Sequence, residues 1–138
     1  MPSSHPEPSQ PVRLAKGSSL TVSGGQTEGM QRANAIAGVC DGICASRMVA
    51  APHTASAVHH HGAQDTVVFC AAGSGGAIVS EGGRRRAGLE PGDFCLIPTY
   101  MEHQEVNDGD DELVLCVVRS GRSPCVVNLD GWDGDVVE

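Results

Sequence analysis

From residue 43 onward, apolar and polar positions alternate in short runs, and nearly every run stops at Gly, Pro, Asn or Asp. Alternation with a period of two marks a strand with one buried face. It predicts strands over 43–51, 57–61, 66–72, 77–80, 93–98, 102–106, 112–119 and 125–129. The turns between them fall at 62–65, 73–76, Gly82-Gly83, Pro91-Gly92 and 107–110. Upstream, 12–36 alternates more weakly (Val12, Leu14, Leu20, Val22) and predicts one or two edge strands around a turn at Gly24-Gly25. No segment carries a convincing helical period, and no internal repeat is present. Strands at this spacing, joined by such turns, predict an all-β sandwich or barrel.

Composition narrows the picture. A chain of 138 residues fits one domain. Residues 1–11, with four prolines and three serines, read as a disordered tail, and 130–138 as a loosely attached acidic tail, which leaves 12–129 for the barrel. The net charge of −8 argues against nucleic acid, whose binding needs Lys and Arg to neutralise phosphates. Four aromatics (Phe69, Phe94, Tyr100, Trp132) are too few to stack single-stranded bases. No run approaches the roughly 20 apolar residues of a membrane-spanning helix. The N-terminus has no basic-then-apolar export pattern, so the six cysteines are expected as reduced thiols of a cytoplasmic protein. Cys70, Cys95 and Cys116 lie in apolar runs and read as small buried hydrophobes. Cys40 and Cys44 have no second pair with which to build a zinc ribbon.

The histidines carry the chemistry. Three are consecutive, His59-His60-His61, and in a strand the first and third share a face while His60 points away. Two imidazoles so placed can share one metal ion. Asp65 follows after a short loop and can return a carboxylate to the same face, with Val67, Phe69 and Ala71; Gln64 is the alternative. His103 lies in a later strand. Three imidazoles and a carboxylate suit Fe(II), Mn, Zn, Ni or Cu, with positions left for water or substrate.

Two longer patterns enclose these residues. Gly92 to Asn107 reads G-x5-P-x-Y-x2-H-x3-N, through Pro98, Tyr100 and His103. It resembles the second conserved motif of the cupins, with Tyr100 where that motif has its second Gly. His53-x5-His59-His60-His61-x3-Asp65-x7-Gly73 resembles the first cupin motif. There His53 replaces Gly, Asp65 replaces Glu, and the closing Gly comes one residue late. The resemblance to small single-domain cupins of the RmlC-like superfamily implies a single jelly-roll-like barrel, a double-stranded β-helix. It also implies metal ligation by His59, His61 and His103, with Asp65 in the carboxylate place.

Other residues are weighed against that frame. Glu105 shares strand parity with His103 and is a candidate to line the cavity as proton acceptor, with a solvent-facing carboxylate as the alternative. Tyr100 offers a phenol to the mouth or simply packs. Asn107 starts the turn Asn-Asp-Gly-Asp, and His53 occupies a turn after Pro52. Arg84-Arg85-Arg86 reads as a solvated hairpin. Arg47, in alternation with Ile43, Ala45 and Val49, is a candidate carboxylate anchor or a strand-end ion pair. Met48 and Met101 read as core or cavity lining.

The expected function is that of a metal-dependent enzyme acting on a small oxygenated organic molecule. Oxygenative, dioxygenase-type chemistry is preferred because three His and a carboxylate suit Fe(II). The alternatives are a lyase, isomerase or dehydratase reaction without O2, and a cupin that binds a small ligand without turning it over. Exposed edge strands make a homodimer the expected assembly.

Overall fold

The computed structural model describes residues 6–23 and 27–137; the expected turn at Gly24-Gly25 and residues 1–5 lie outside them. In chain order the strands are β1 (Val22–Ser23), β2 (Met30–Ile36), β3 (Ile43–Ala50), β4 (Thr54–Ala55), β5 (His59–His60) and β6 (Thr66–Ala72). They continue as β7 (Gly76–Ser80), β8 (Arg85–Leu89), β9 (Phe94–Ile97), β10 (His103–Asn107), β11 (Leu113–Ser120) and β12 (Val127–Asn128). Among the described residues, helix is confined to single 3-10 turns at Gly17–Ser19 and Glu81–Gly83. The all-β expectation is met.

The strands form two antiparallel sheets, in the order β1-β2-β3-β11-β6-β9 and β12-β5-β10-β7-β8, with β4 also pairing with β10. The core lies between them. On β11, Leu113, Leu115, Val117 and Arg119 alternate inward, while Cys116 and Ser120 face out. Leu113, Leu115 and Val117 pack with Met30, Met48, Ala50, Val68, Cys70, Ile78, Leu89 and Ile97. Each such Leu contributes about 1.5–3 kcal/mol by leaving water. Asn107 ties the end of β10 to the opposite sheet. Its buried Nδ2 shares its hydrogens among the carbonyls of Ala50, Ala51 and Asp111 at 3.0–3.2 Å, while its Oδ1 accepts from Gly109 N–H. Gly75 and Gly109 touch backbone to backbone beside it: a Cβ on Gly75 would stand 2.1 Å from the Gly109 nitrogen.

Several facings depart from expectation. On β3 the inward residues are Cys44, Ser46, Met48 and Ala50, so Arg47 lies on the outer face, where its Nη2 donates weakly to Gly17 O at 3.4 Å. It is no anchor for a ligand in the interior, because the pleat turns it away from the inward row of Cys44, Ser46, Met48 and Ala50. On β6 the inward residues are Thr66, Val68 and Cys70; Val67 is exposed and Phe69 stacks outside against Phe94. The three arginines lie on a solvated hairpin as expected: Arg84 closes the turn between β7 and β8, and the exposed Arg85 and Arg86 open β8, a strand that the alternation did not mark. All six cysteines are free, but Cys44 and Cys70 are the buried ones and Cys116 is exposed. Met48 lies in the core and Met101 packs against it.

Candidate metal centre

Three elements deliver four side chains to one point. His59 is carried by β5 and is the Cα partner of His103, the first residue of β10. His61 follows β5 on the face of His59, and Glu105 stands two residues beyond His103 on the face of that imidazole. The strand period brings each pair to the same side. The candidate ligand atoms of His59, His61, His103 and Glu105 all lie within 4.8 Å of one another. All four side chains are buried, and His103 has no exposed surface.

Backbone contacts fix how the rings point. His59 Nδ1–H donates to the Ala57 carbonyl at 2.8 Å, and His103 Nδ1–H donates to the Met101 carbonyl at 2.9 Å. His61 Nδ1 lies 2.8 Å from the Thr66 hydroxyl. These partners leave Nε2 of each ring facing the shared centre. Such outer contacts set tautomer and orientation in metal-binding histidines. The Nε2 atoms of His61 and His103 are buried and have no hydrogen-bond partner. Buried polar atoms are seldom left so, and a cation supplies what these two lone pairs lack.

Glu105 is held just as firmly. Ser56 Oγ accepts from Glu105 N–H and lies 3.0 Å from Glu105 Oε2, to which its hydroxyl can donate. Oε2 is 3.0 Å from His59 Nε2, and Oε1 is 3.5 Å from His103 Nε2. Burial by itself would raise the Glu105 carboxyl, but the charge of His59 and the contacts with both rings outweigh it and hold the group well below the usual carboxylate range. For His59, burial pushes downward, yet the facing Glu105 carboxylate wins and the imidazole is raised. For His61 the pull of Glu105 is outweighed. Burial, with the charge of Arg119 next, pushes it down to about 2, so it stays neutral. A neutral His61, two further imidazoles and an ionised carboxylate form a donor set that fits a divalent transition ion, whose binding would displace the proton favoured at His59.

The structure therefore unites His59, His61 and His103 as expected, but not with Asp65. That residue is exposed; its backbone N–H donates to Ser120 Oγ, and its Oδ1 accepts from Thr99 N–H at 3.2 Å. The loop after His61 shifts the register by one, so Thr66 takes the inward position and the carboxylate comes from Glu105 instead. Gln64 is also turned away, donating to Ser123 O and accepting from Cys125 N–H. Tyr100 is 64 % exposed, takes φ of 59° where the motif has Gly, and sets its ring 5.8 Å from that of His60. It stands outside the cluster, and so does His60, which accepts from Gly62 N–H. His53 occupies a turn as expected, 2.9 Å from Asp110. Arg119, which alternation alone marks only as the last residue of a strand, is buried beside the cluster as the Cα partner of Thr66.

Solved structures share this architecture. The polyketide cyclase RemF from Streptomyces resistomycificus aligns with a TM-score of 0.72 at 16% identity, over 85% of this chain and 84% of that one. KdgF from Halomonas sp. aligns at 0.64 and 22% identity, over 80% and 95%. A predicted oxalate decarboxylase from Thermotoga maritima aligns at 0.68 and 17%, over 79% and 99%. At these identities the likeness is one of fold. No curated protein matches the sequence. The model of the Cupin domain matches residues 46–119, slightly more than half of the chain. That span runs from the inward face of β3 to Arg119 and takes in all four clustered side chains, and the chain belongs to the cupin family.

Proposed function

We propose that this cupin is a metal-dependent enzyme that binds a small oxygenated organic molecule at a divalent ion held by His59, His61, His103 and Glu105. The observation that carries the reading is the pair of buried, unpartnered Nε2 atoms on His61 and His103, converging with an ionised Glu105. A bound divalent ion would polarise a substrate oxygen as a Lewis acid, and a redox-active one would also support O2 chemistry. The chain's own part is positioning. Ala57 O, Met101 O and Thr66 Oγ1 orient the rings, and Ser56 fixes the carboxylate. Leu115, Met48 and Val68 wall the interior against water. Glu105 is the proton acceptor nearest the reacting atoms, through whichever of its oxygens is free.

Two reaction classes remain in play, each with its own support. The donor set of three imidazoles and one carboxylate suits Fe(II) and oxygenative chemistry. Among the proteins of similar fold, RemF is a polyketide cyclase and the Thermotoga maritima protein a predicted oxalate decarboxylase, which favours bond making or breaking without O2. Fe(II)-, Mn(II)- and Zn(II)-loaded protein, prepared without oxygen and given catechols, enols and keto acids, separates them. O2 uptake matched to product supports the oxygenase; product without uptake supports the lyase or cyclase class. Substrate recovered intact with all three metals would end the enzymatic reading in favour of a binding cupin. The expected homodimer is retained as part of this proposal, supported by exposed Phe94 and Leu96 on the edge strand β9. Sedimentation of wild type against Leu96→Lys tests it.

A further inference from the structure

Among the described residues, Arg119 is the largest side chain that is fully buried. It projects from β11 into the interior, in the row formed with its Cα partners Cys44 on β3 and Thr66 on β6. Thr66 in turn holds His61. Arg119 on one sheet and the cluster on the other therefore face the same interior, and Thr66, beside Arg119, reaches across to His61. Their charges act on each other: the guanidinium is among the main influences that keep His61 neutral, and Glu105 acts on the guanidinium.

The guanidinium is only partly satisfied. Its Nη1 donates to Cys125 O at 2.9 Å. Its Nε and Nη2 are buried and have no partner. Those two nitrogens form one edge of the planar group, with parallel N–H bonds that match the two oxygens of a carboxylate. No carboxylate among the described residues lies within ion-pair distance of Arg119. A buried cation without a counter-ion is costly. Glu105 is the only carboxylate among the described buried residues, and the metal cluster already engages it.

We propose that Arg119 is the anion anchor of this interior: its Nε–H and Nη2–H edge binds a carboxylate of the substrate, which narrows the substrate class to small oxygenated carboxylic acids. The placement of the rest of the substrate at the ion rests on the metal-site reading given above. The anchoring of the carboxylate itself does not. Cys125 O holds the far side of the guanidinium and presents the fork edge-on, so recognition is bidentate. Lysine, a point charge without a planar fork, replaces it poorly.

The test uses malonate and oxalate as probes, with the neutral malonamide and oxamide as controls. Calorimetric titration is run on Zn(II)-loaded and metal-free protein, wild type, Arg119→Lys and Arg119→Met. At least one dianion should bind the loaded wild type roughly tenfold or more tighter than it binds either variant, as loss of a charge-assisted pair implies. The diamides should bind no better to wild type than to the variants, and zinc stoichiometry should be unchanged in both variants. Should the variants fold poorly, the wild-type protein decides the matter by NMR. The Nε–H cross-peak of the buried arginine should shift and exchange more slowly with malonate and stay put with malonamide. Equal dianion binding in wild type and Arg119→Lys, or a cross-peak indifferent to malonate, overturns the anchor while leaving the metal centre standing. Wild type that takes up no zinc but still shows the malonate shift keeps the anchor and removes the metal centre.

Discussion

His59 and His103 stand directly opposite each other in the β5–β10 ladder, and each donates its Nδ1–H to the carbonyl two residues before it, Ala57 and Met101. The same local device, used from two strands, turns both Nε2 atoms toward one point, with the ring centroids 4.4 Å apart. The backbone thus sets the tautomer of both rings before any ion arrives.

The ligand set is tested by contrast. Protein purified without chelators should carry about one divalent ion per chain, as an open three-His-plus-carboxylate site would. His59→Ala and His103→Ala should lose stoichiometric metal, and Glu105→Gln should bind it far more weakly. Asp65→Ala should keep full occupancy. Elemental analysis with calorimetric titration reads all four; metal lost in Asp65→Ala but kept in Glu105→Gln would restore the carboxylate to the loop.

Thr66→Val removes the partner of His61 Nδ1 while nearly keeping shape. Loss of such an outer contact should lower metal affinity about 10–100-fold. It should also cost the metal-free fold about 1–3 kcal/mol, through an unsatisfied buried nitrogen. Denaturant titration of the metal-free protein separates that stability cost from the change in affinity.

His61, held down to about 2, stays neutral in the fold across the acid range, whereas the unfolded chain protonates it near its ordinary value of 6.5. Stability of the metal-free protein should therefore fall as pH drops below 6.5, by about 1.4 kcal/mol per unit from this group. His59 acts with the opposite sign: its raised value contributes stability that is present in acid and lost as pH rises through that value. Glu105, lowered, contributes above its unfolded value of 4.5, and that contribution is lost as pH falls through its folded one. Between 4.5 and 6.5, His61 supplies the slope of these three. Denaturation at several pH values, with His61→Leu as the control that flattens the curve, checks it.

Asn107→Ala should lower stability by about 2–4 kcal/mol, because it strips buried carbonyls and an N–H of their partner at once. Thermal or denaturant unfolding measures the loss, and the inability of Asn107→Asp to restore it would show that the donated hydrogens matter most.

Much of this architecture was legible in the chain itself. The strand at Thr66–Ala72 is where the alternation places it, and both histidine motifs fall on the elements that the turns delimit. Legibility failed where facing depended on loop geometry. The 62–65 loop decides whether Asp65 or Thr66 points inward, and residue types at those positions do not encode that choice. Glu105 was accessible through its spacing of two from His103, since that spacing puts both on one face. Arg119 carried a readable sign too: a charged residue in step with Leu113, Leu115 and Val117. β8 was hidden because three consecutive arginines look solvated, and on an edge strand with one open face they can be both paired and exposed.

Ser56 grips Glu105 at both ends, touching its backbone N–H and its Oε2 with one hydroxyl. Freezing a free glutamate costs about 1.5–2 kcal/mol of rotamer entropy, and in this protein folding has already absorbed that cost. An arriving divalent ion finds the carboxylate immobilised and meets one rival at it, the hydrogen ion shared with His59. At any pH below the raised His59 value, loading then amounts to an exchange of cations, and its measured heat should track the ionisation enthalpy of whatever buffer receives the expelled acid.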